Sequence, residues 1–407
     1  MDTVTHTLVG TLLAKTRFGQ AGPLAPLALV AAANFPDFES LVLAFCDQPT
    51  NLIHHRSVTH AMAGLAVQIP LLAWLTHRSN RWLIRRRVRA VTADGAGPGA
   101  ALGQATGKRI PPPASDRLLT TGIALAMVSH PLLDWLNTYG VRPWLPLDGT
   151  WYHGDVCFII DPYICLLLLG GTALAGPRTR AGTMALGTLA AFLTLAVVLS
   201  AGLTPVALLP IWFGALALIA LGRWKWAFGR RHPHAVAGGA AALVLVHVAG
   251  LYAAGRTAER LSRPVLTAAL EPGEVILART LNPQPADPLT WEIVAETPTA
   301  ILRHRVRLGR PPTGVVRLGR RLDDPLVQRV ADSRAGEAWR IFARHRLAAV
   351  VTRADGHTVY LLDARYGVFP PRGFATLVID VPRDAGPAPP PVAERSDRPA
   401  PRRAGPG

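Results

Sequence analysis

The chain has 407 residues, of which 50% are hydrophobic and 17% are charged. A soluble domain is usually about one quarter charged, so this composition favours a membrane protein over a soluble globular one. The formal net charge of +17 comes almost entirely from arginine, and no nucleic-acid-binding motif accompanies it, so we expect no nucleic-acid partner.

Apolar runs in the first 254 residues predict an α-helical, polytopic membrane bundle. A bilayer core of ~30 Å requires about 20 apolar residues in a helix. Seven runs approach this length: 23–46, 58–77, 117–138, 156–176, 183–203, 205–222 and 234–254. The run 4–17 is shorter and is predicted to be a half-span. The expected bundle therefore has about 7–8 spans and comprises residues 1–77 and 117–255.

Arginine-rich segments between these runs predict the orientation of the bundle. Residues 78–116 are basic and rich in Gly and Pro, so we expect a flexible cytoplasmic linker. The basic stretches 178–180 and 223–232 belong on the same side by the positive-inside rule. This topology places the loops 47–57 and 139–155 on the periplasmic face.

The character of the sequence changes near residue 255. Alternating apolar and polar residues at 290–296, 357–363 and 374–381 predict strands, and 326–330 and 337–342 predict short helices. We therefore expect residues 256–383 to form a small α+β extramembrane domain on the outer side. Residues 384–407 are rich in Pro, Gly and Arg and are predicted to be a disordered tail.

Two ionisable residues inside an apolar run indicate a functional site. His130 and Asp134 lie four residues apart and therefore share one face of the predicted helix. At membrane depth such groups are costly unless a partner, a metal or water compensates them. The predicted topology brings further imidazoles and carboxylates to the same depth near the outer surface: His6, Asp37, Glu39, His54, His55 and His60.

Imidazole and carboxylate groups are typical ligands of zinc and similar ions, so this set predicts a divalent metal site with zinc as the expected ion. The choice between His54 and His55 stays open, and Asp37 or Glu39 is expected to be a ligand or a general base. Pro36 interrupts an apolar helix beside Asp37, as in broken helices that line a protein cavity. The predicted metal ligands are His6, Asp37, His55, His60, His130 and Asp134.

The motifs that carry these residues resemble a known family. They are Met1-Asp2-x-x-Thr5-His6, Asn34-x-Pro36-Asp37, His55-Arg56-x-x-Thr59-His60 and His130-x-x-x-Asp134-x-x-Asn137-x-Tyr139-Gly140. In this order they resemble the YdjM-type bacterial inner-membrane proteins over the first 165 residues. The resemblance implies a multi-pass protein of the bacterial inner membrane with metal-dependent hydrolase activity. Members often have a second Asp two positions after the first, where this chain has Glu39.

The sequence therefore predicts a membrane-embedded metal-dependent hydrolase with its site near the periplasmic face. A site at headgroup depth favours a phospholipid or another lipid-linked phosphoester as substrate. The His-Glu-x-x-His motif of zinc membrane proteases is absent from the sequence. The alternative is a non-enzymatic metal-binding or transport protein, or a membrane anchor for the C-terminal domain. Transport would require a continuous polar path, which the last three predicted spans do not offer.

Overall fold

The computed structural model describes residues 1–93, 115–176, 179–199, 209–225, 228–366 and 373–383. The helices are α1 (Thr3–Leu13), α2 (Ala25–Asn34), α3 (Glu39–Leu43), α4 (Gln48–His54), α5 (Met62–Ala93), α6 (Asp116–Trp135), α7 (Pro162–Ala175), α8 (Arg180–Leu199), α9 (Leu209–Lys225), α10 (Phe228–Arg231), α11 (Pro233–Ala268), α12 (Pro325–Ala331) and α13 (Arg334–Phe342). The strands are β1 (Ala278–Gln284), β2 (Asp287–Glu296), β3 (Ala300–Arg307), β4 (Val315–Gly319), β5 (Arg346–Thr352), β6 (Gly356–Asp363) and β7 (Thr376–Pro382).

The prediction of 7–8 membrane spans is wrong. Among the described residues, three helical stretches are long and apolar enough to cross a membrane, namely Ala25–Leu43, Arg180–Leu199 and Pro233–Ala268. A fourth results if Gln48–His60 and Met62–Arg89, which are bent by 61° relative to each other, count as one broken span. The membrane part is therefore smaller than the apolar runs suggested.

Short and internally buried helices explain part of this difference. With 11 and 14 residues, α1 and α7 are only about 17 and 21 Å long, whereas the bilayer core measures ~30 Å. Most of α7 is covered by protein, including Ile164, Cys165 and Leu169. An apolar run indicates burial, but it does not distinguish a protein interior from lipid. The prediction therefore included helices of the protein interior among the membrane spans.

Local sequence signals define the elements that lead to the candidate ligands. Asp2 caps α1, because its carboxylate accepts hydrogen bonds from the backbone N–H groups of Val4 and Thr5. Pro36 lies in the 3₁₀ turn Phe35–Phe38, which separates α2 from α3. A second 3₁₀ turn, Val58–His60, precedes α5. The first turn carries Asp37 and the second carries His60.

The α+β character of the C-terminal region is confirmed. One antiparallel sheet has the strand order β1-β2-β3-β4 and the other has β5-β6-β7. Val294, Ile301, Leu347 and Leu362 form a buried cluster that joins the two sheets. Helix α11 extends to Ala268 and packs on β2 and β3, so the predicted boundary near residue 255 falls inside a continuous helix.

The predicted linker lies only partly within the described residues. Helix α5 continues to Ala93, so the first part of the 78–116 segment is helical. Residues 94–114 lie outside the described part of the chain, as does the predicted tail 384–407.

The crossing of α1 and α2 offers a test of the packing. A Cβ atom on Gly10 would lie 2.7 Å from the Val30 Cα and 2.8 Å from the Leu29 carbonyl oxygen, and neither backbone atom can yield cheaply. We expect Gly10→Ala to destabilise the protein by about 1–3 kcal/mol and to lower its unfolding temperature in detergent micelles. Gly250→Ala in α11 is the control, because a Cβ there has open space and should improve helix propensity. Equal unfolding temperatures for the two variants would contradict this packing.

Candidate metal centre

Four side chains from three parts of the chain meet in the membrane part of the structure. Helix α6 presents His130 and Asp134 on one face, one turn apart. The turn after α2 supplies Asp37, and the turn before α5 supplies His60. One potential ligand atom from each of the four lies within 4.8 Å of those of the other three.

Five of the six distances between these ligand atoms lie between 3.2 and 3.5 Å, and the sixth, between Asp37 and Asp134, is within 4.8 Å. The Nε2 atoms of His60 and His130 are 3.2 Å apart. His60 Nε2 lies 3.4 Å from Asp37 Oδ1 and 3.3 Å from Asp134 Oδ2. His130 Nε2 lies 3.5 Å from Asp37 Oδ1 and 3.4 Å from Asp134 Oδ2. A tetrahedral ion with ligands at 2.0–2.1 Å separates them by ~3.3–3.4 Å, so this donor set fits zinc.

Buried atoms without hydrogen-bond partners support the same interpretation. Asp134 Oδ2, which faces both imidazoles, forms no hydrogen bond with the described residues, and neither do the two ring nitrogens of His6. Buried polar groups are normally satisfied, because desolvation without compensation is unfavourable. A cation between Asp134, His60 and His130 would satisfy the carboxylate oxygen.

The far sides of the two imidazoles are held in place. His130 Nδ1 lies 2.7 Å from the Ala33 carbonyl oxygen, so this nitrogen donates and Nε2 is left with a lone pair for a metal. His60 Nδ1 lies 3.1 Å from Thr59 Oγ1 and 3.6 Å from Glu39 Oε1. Such contacts orient a liganding histidine and fix its tautomer.

Glu39 contacts the surroundings of the cluster rather than its centre. Its carboxylate accepts hydrogen bonds of 2.5 Å from the Arg56 backbone N–H and from the Thr59 hydroxyl. His55 Nδ1 lies 3.5 Å from Glu39 Oε1. The structure therefore places His55 against Glu39 and not among the four clustered side chains. His54 ends α4 and is exposed.

His6 lies beside the four-residue cluster. Its ring stacks on His130 with 3.6 Å between centroids, and its Nε2 is 3.4 Å from Asp134 Oδ1. The structure thus brings together four of the six predicted ligands. His6 lies next to this cluster and contacts Asp134. His55 lies outside the cluster and contacts Glu39.

Two further groups, Arg56 and the α-amino group of Met1, are buried against Asp134, a role that the sequence did not predict for either. Arg56 Nη2 lies 3.0 Å from Asp134 Oδ1, and the Met1 ammonium group contacts the same oxygen. Arg56 is 2% exposed, has φ +56°, and also donates to Asn137 Oδ1 at 3.2 Å. The available signal was its place between His55 and Ser57, beside the predicted ligands. The Arg56 guanidinium and the Met1 amino group therefore contact one oxygen of Asp134, while its other oxygen faces the imidazoles.

The loop after α6 and the C-terminal domain together cover the side of the cluster on which Arg56 lies. Tyr139 packs against Trp151, Phe342 and Phe374, with centroid distances of 5.8, 5.0 and 5.9 Å. Arg365 donates to the Thr138 carbonyl oxygen and pairs with Asp363 at 2.6 Å. The C-terminal domain thus lies on the same side of the molecule as the cluster.

Several ionisable groups lie where the loop after α6 meets the C-terminal domain. Burial, reinforced by Arg365 and Arg344, lowers the pKa of His153 to about 2, so its imidazole is neutral at physiological pH. Burial raises the pKa of Asp155, which pairs with Arg344 at 2.8 Å. Burial also raises the pKa of Tyr139 above its usual range. Asp161 caps α7 and lies 3.2 Å from His247.

Access to the cluster is confined to Asp37. The side chains of His60, His130 and Asp134 are 0–1% exposed, whereas that of Asp37 is 21% exposed. The surface beside Asp37 is apolar and comprises the exposed residues Phe38, Leu41, Val42 and Phe45. The centre therefore opens through one carboxylate onto an apolar surface.

Fold and site together define a helical membrane protein with a buried His₂Asp₂ cluster and a C-terminal α+β domain. The YdjM inner membrane protein family matches residues 1–204, half of the chain, and the chain belongs to this family. It is accordingly an inner membrane protein, as the sequence motifs indicated. No curated protein and no solved structure matches the chain.

Metal content provides a direct test of the cluster. We expect the purified protein to bind about one zinc ion per chain, and His130→Ala or Asp134→Ala to weaken binding by at least about 100-fold, because each removes a ligand. His247→Ala is the matched control, since this membrane histidine contacts Asp161 instead. Elemental analysis after dialysis against a zinc buffer measures both effects. Equal zinc content in all variants would place the metal elsewhere.

Proposed function

We propose that the protein is a membrane-embedded metal-dependent hydrolase whose site lies at the periplasmic face. The observation that carries the proposal is the near-tetrahedral spacing of two imidazole nitrogens and two carboxylate oxygens in a buried cluster. The expected zinc ion would lower the pKa of a bound water to ~7 and polarise the scissile group.

The geometry supports different roles for the two carboxylates. Asp134 is fully buried and its Oδ1 already contacts Arg56, so it is suited to hold a cation in a fixed place. Asp37 is the cluster member that reaches the surface, so it can take a proton from an attacking water. In this arrangement His60, His130 and Asp134 hold the metal, which leaves one position open as in catalytic zinc sites.

Glu39 is assigned to positioning rather than to proton transfer. Its oxygens accept hydrogen bonds from Arg56 and Thr59, and it lies beside His60 Nδ1. A general base needs a free oxygen directed at the reacting water, and Glu39 is occupied on both oxygens. It fixes the tautomer and the orientation of His60 instead.

A lipid-linked substrate fits the surroundings of the opening. Phe38, Leu41, Val42 and Phe45 are 59–93% exposed, which is typical of a surface covered by lipid. A lipid whose headgroup reaches Asp37 would leave its acyl chains against this surface. We therefore propose a phospholipid or another lipid-linked phosphoester as the substrate class.

The four potential protein ligands also favour a second function, a closed metal site without hydrolase activity. Four protein ligands around one zinc ion are typical of closed structural sites, whereas catalytic sites keep one position for water. If Asp37 is a fourth permanent ligand, the centre binds metal without hydrolysis and helps to fix the helices. The two functions differ in what Asp37 does.

Replacing Asp37 separates these functions. For the hydrolase we expect Asp37→Asn to retain about one zinc ion per chain and to lose about 100-fold or more of phosphodiesterase activity, because the general base is removed. The assay uses purified protein with a chromogenic phosphodiester and with mixed phospholipid vesicles. His130→Ala should lose both metal and activity, and His247→Ala should lose neither. No activity in the zinc-loaded wild type, together with loss of zinc in Asp37→Asn, would support the closed metal site.

A further inference from the structure

A basic cavity lies between α5 and α6, far from the metal centre. Its volume is about 560 Å³, and its lining includes Trp74, Trp82, Arg78, Arg81 and Arg85. Pro70, Ala73, His77 and Thr120 complete the lining. Arginine and tryptophan side chains thus line a single cavity, and the three arginines share one helix face because they are three and four residues apart.

The length of α5 places this cavity at the opposite membrane surface from the metal centre. Helix α5 begins at Met62, directly after the turn that carries His60. Arg78 and Arg85 follow Met62 by about 24 and 35 Å along the helix axis, against a bilayer core of ~30 Å. If the metal centre lies near one surface, Arg85 emerges at the other and Arg78 lies just inside it. The arginine content of this segment predicts that the second surface is cytoplasmic.

The charges in the cavity are only partly compensated. Asp116 pairs with Arg81 at 2.7 Å and with His77 at 2.9 Å. The side chains of Arg78 and Arg85 form no ion pair with other residues in the described part of the chain. With respect to the described residues, two guanidinium groups of the cavity are left for an anion, and guanidinium binds phosphate oxygens in a bidentate manner.

The tryptophans indicate the kind of anion. Trp74 and Trp82 are 58% and 56% exposed. Tryptophan prefers the boundary between the bilayer core and water, where its ring contacts acyl chains and its N–H meets the polar headgroups. An exposed aromatic pair next to free arginines suits a ligand with both a phosphate and an apolar part. Basic pockets between membrane helices on the cytoplasmic side bind lipid headgroups in this way.

We propose that this cavity binds the headgroup of an anionic phospholipid of the inner membrane. The phosphate contacts Arg78 and Arg85, and the start of the acyl chains contacts Trp74. This site is separate from the metal centre and does not depend on the proposed hydrolase activity. A bound lipid would join α5, which follows the turn that carries His60, to α6, which carries His130 and Asp134.

The test measures lipid binding by the full chain in detergent. Short-chain phosphatidylglycerol, short-chain phosphatidylcholine and inorganic phosphate are titrated separately, and dissociation constants are measured by microscale thermophoresis. We expect wild type to bind phosphatidylglycerol at least tenfold more tightly than phosphatidylcholine, and to bind phosphate much more weakly. The double variant Arg78→Gln/Arg85→Gln should lose the preference for phosphatidylglycerol, since each arginine contributes about tenfold or less near a lipid phosphate.

A matched double variant controls for net charge. Arg87→Gln/Arg117→Gln removes the same charge near the same end of α5 and α6 from exposed residues that do not line the cavity. It should keep the wild-type preference, and without added lipid both double variants should keep the wild-type unfolding temperature. If both double variants lost the preference for phosphatidylglycerol equally, the preference would depend on net charge and not on the cavity, and the proposal would be overturned. Retention of the preference in Arg78→Gln/Arg85→Gln, or phosphate binding as tight as that of phosphatidylglycerol, would also overturn it.

Discussion

The compensation of one buried carboxylate, Asp134, is the interaction on which the membrane part depends. Asp134 is fully buried, and an isolated carboxylate in such a place is strongly unfavourable. Arg56 and the Met1 ammonium group contact Oδ1, and the imidazoles of His60 and His130 face Oδ2. Removing one partner of a buried ion pair typically costs about 3–5 kcal/mol. The start of α1, the loop before α5 and the face of α6 are therefore tied to one point.

The three carboxylates Asp134, Glu39 and Asp37 have different surroundings, and we assign them different roles. Asp134 has one oxygen in contact with Arg56 and the Met1 amino group and one directed at the imidazoles, so its position is fixed and one oxygen is left for a metal. Glu39 is occupied by Arg56 and Thr59, and it orients His60. Asp37 reaches the surface beside the apolar residues that follow it. Tyr139 and the C-terminal domain cover the other side, which restricts access and keeps the surroundings of Arg56 dry.

Much of the candidate centre was predictable from sequence, because an ionisable residue in an apolar run needs a partner and the chain supplies few. His130 and Asp134 follow from helix spacing, Asp37 from the proline break in an apolar helix, and His60 from its predicted depth near the outer surface. The role of Arg56 was not predictable, because charge beside an apolar run equally indicates an interfacial anchor. The C-terminal α+β domain followed from alternation in strands such as β2 and β6. The number of spans failed at α1 and α7, since hydropathy does not distinguish helices covered by protein from helices covered by lipid.

X-ray absorption spectroscopy of the zinc-loaded protein would show which side chains hold the metal ion. We expect one zinc ion per chain with only nitrogen and oxygen neighbours at ~2.0–2.1 Å and with the scattering pattern of two imidazoles, from His60 and His130. A sulfur neighbour at ~2.3 Å, which would implicate Cys157 or Cys165, or a spectrum unchanged in His130→Ala, would contradict it.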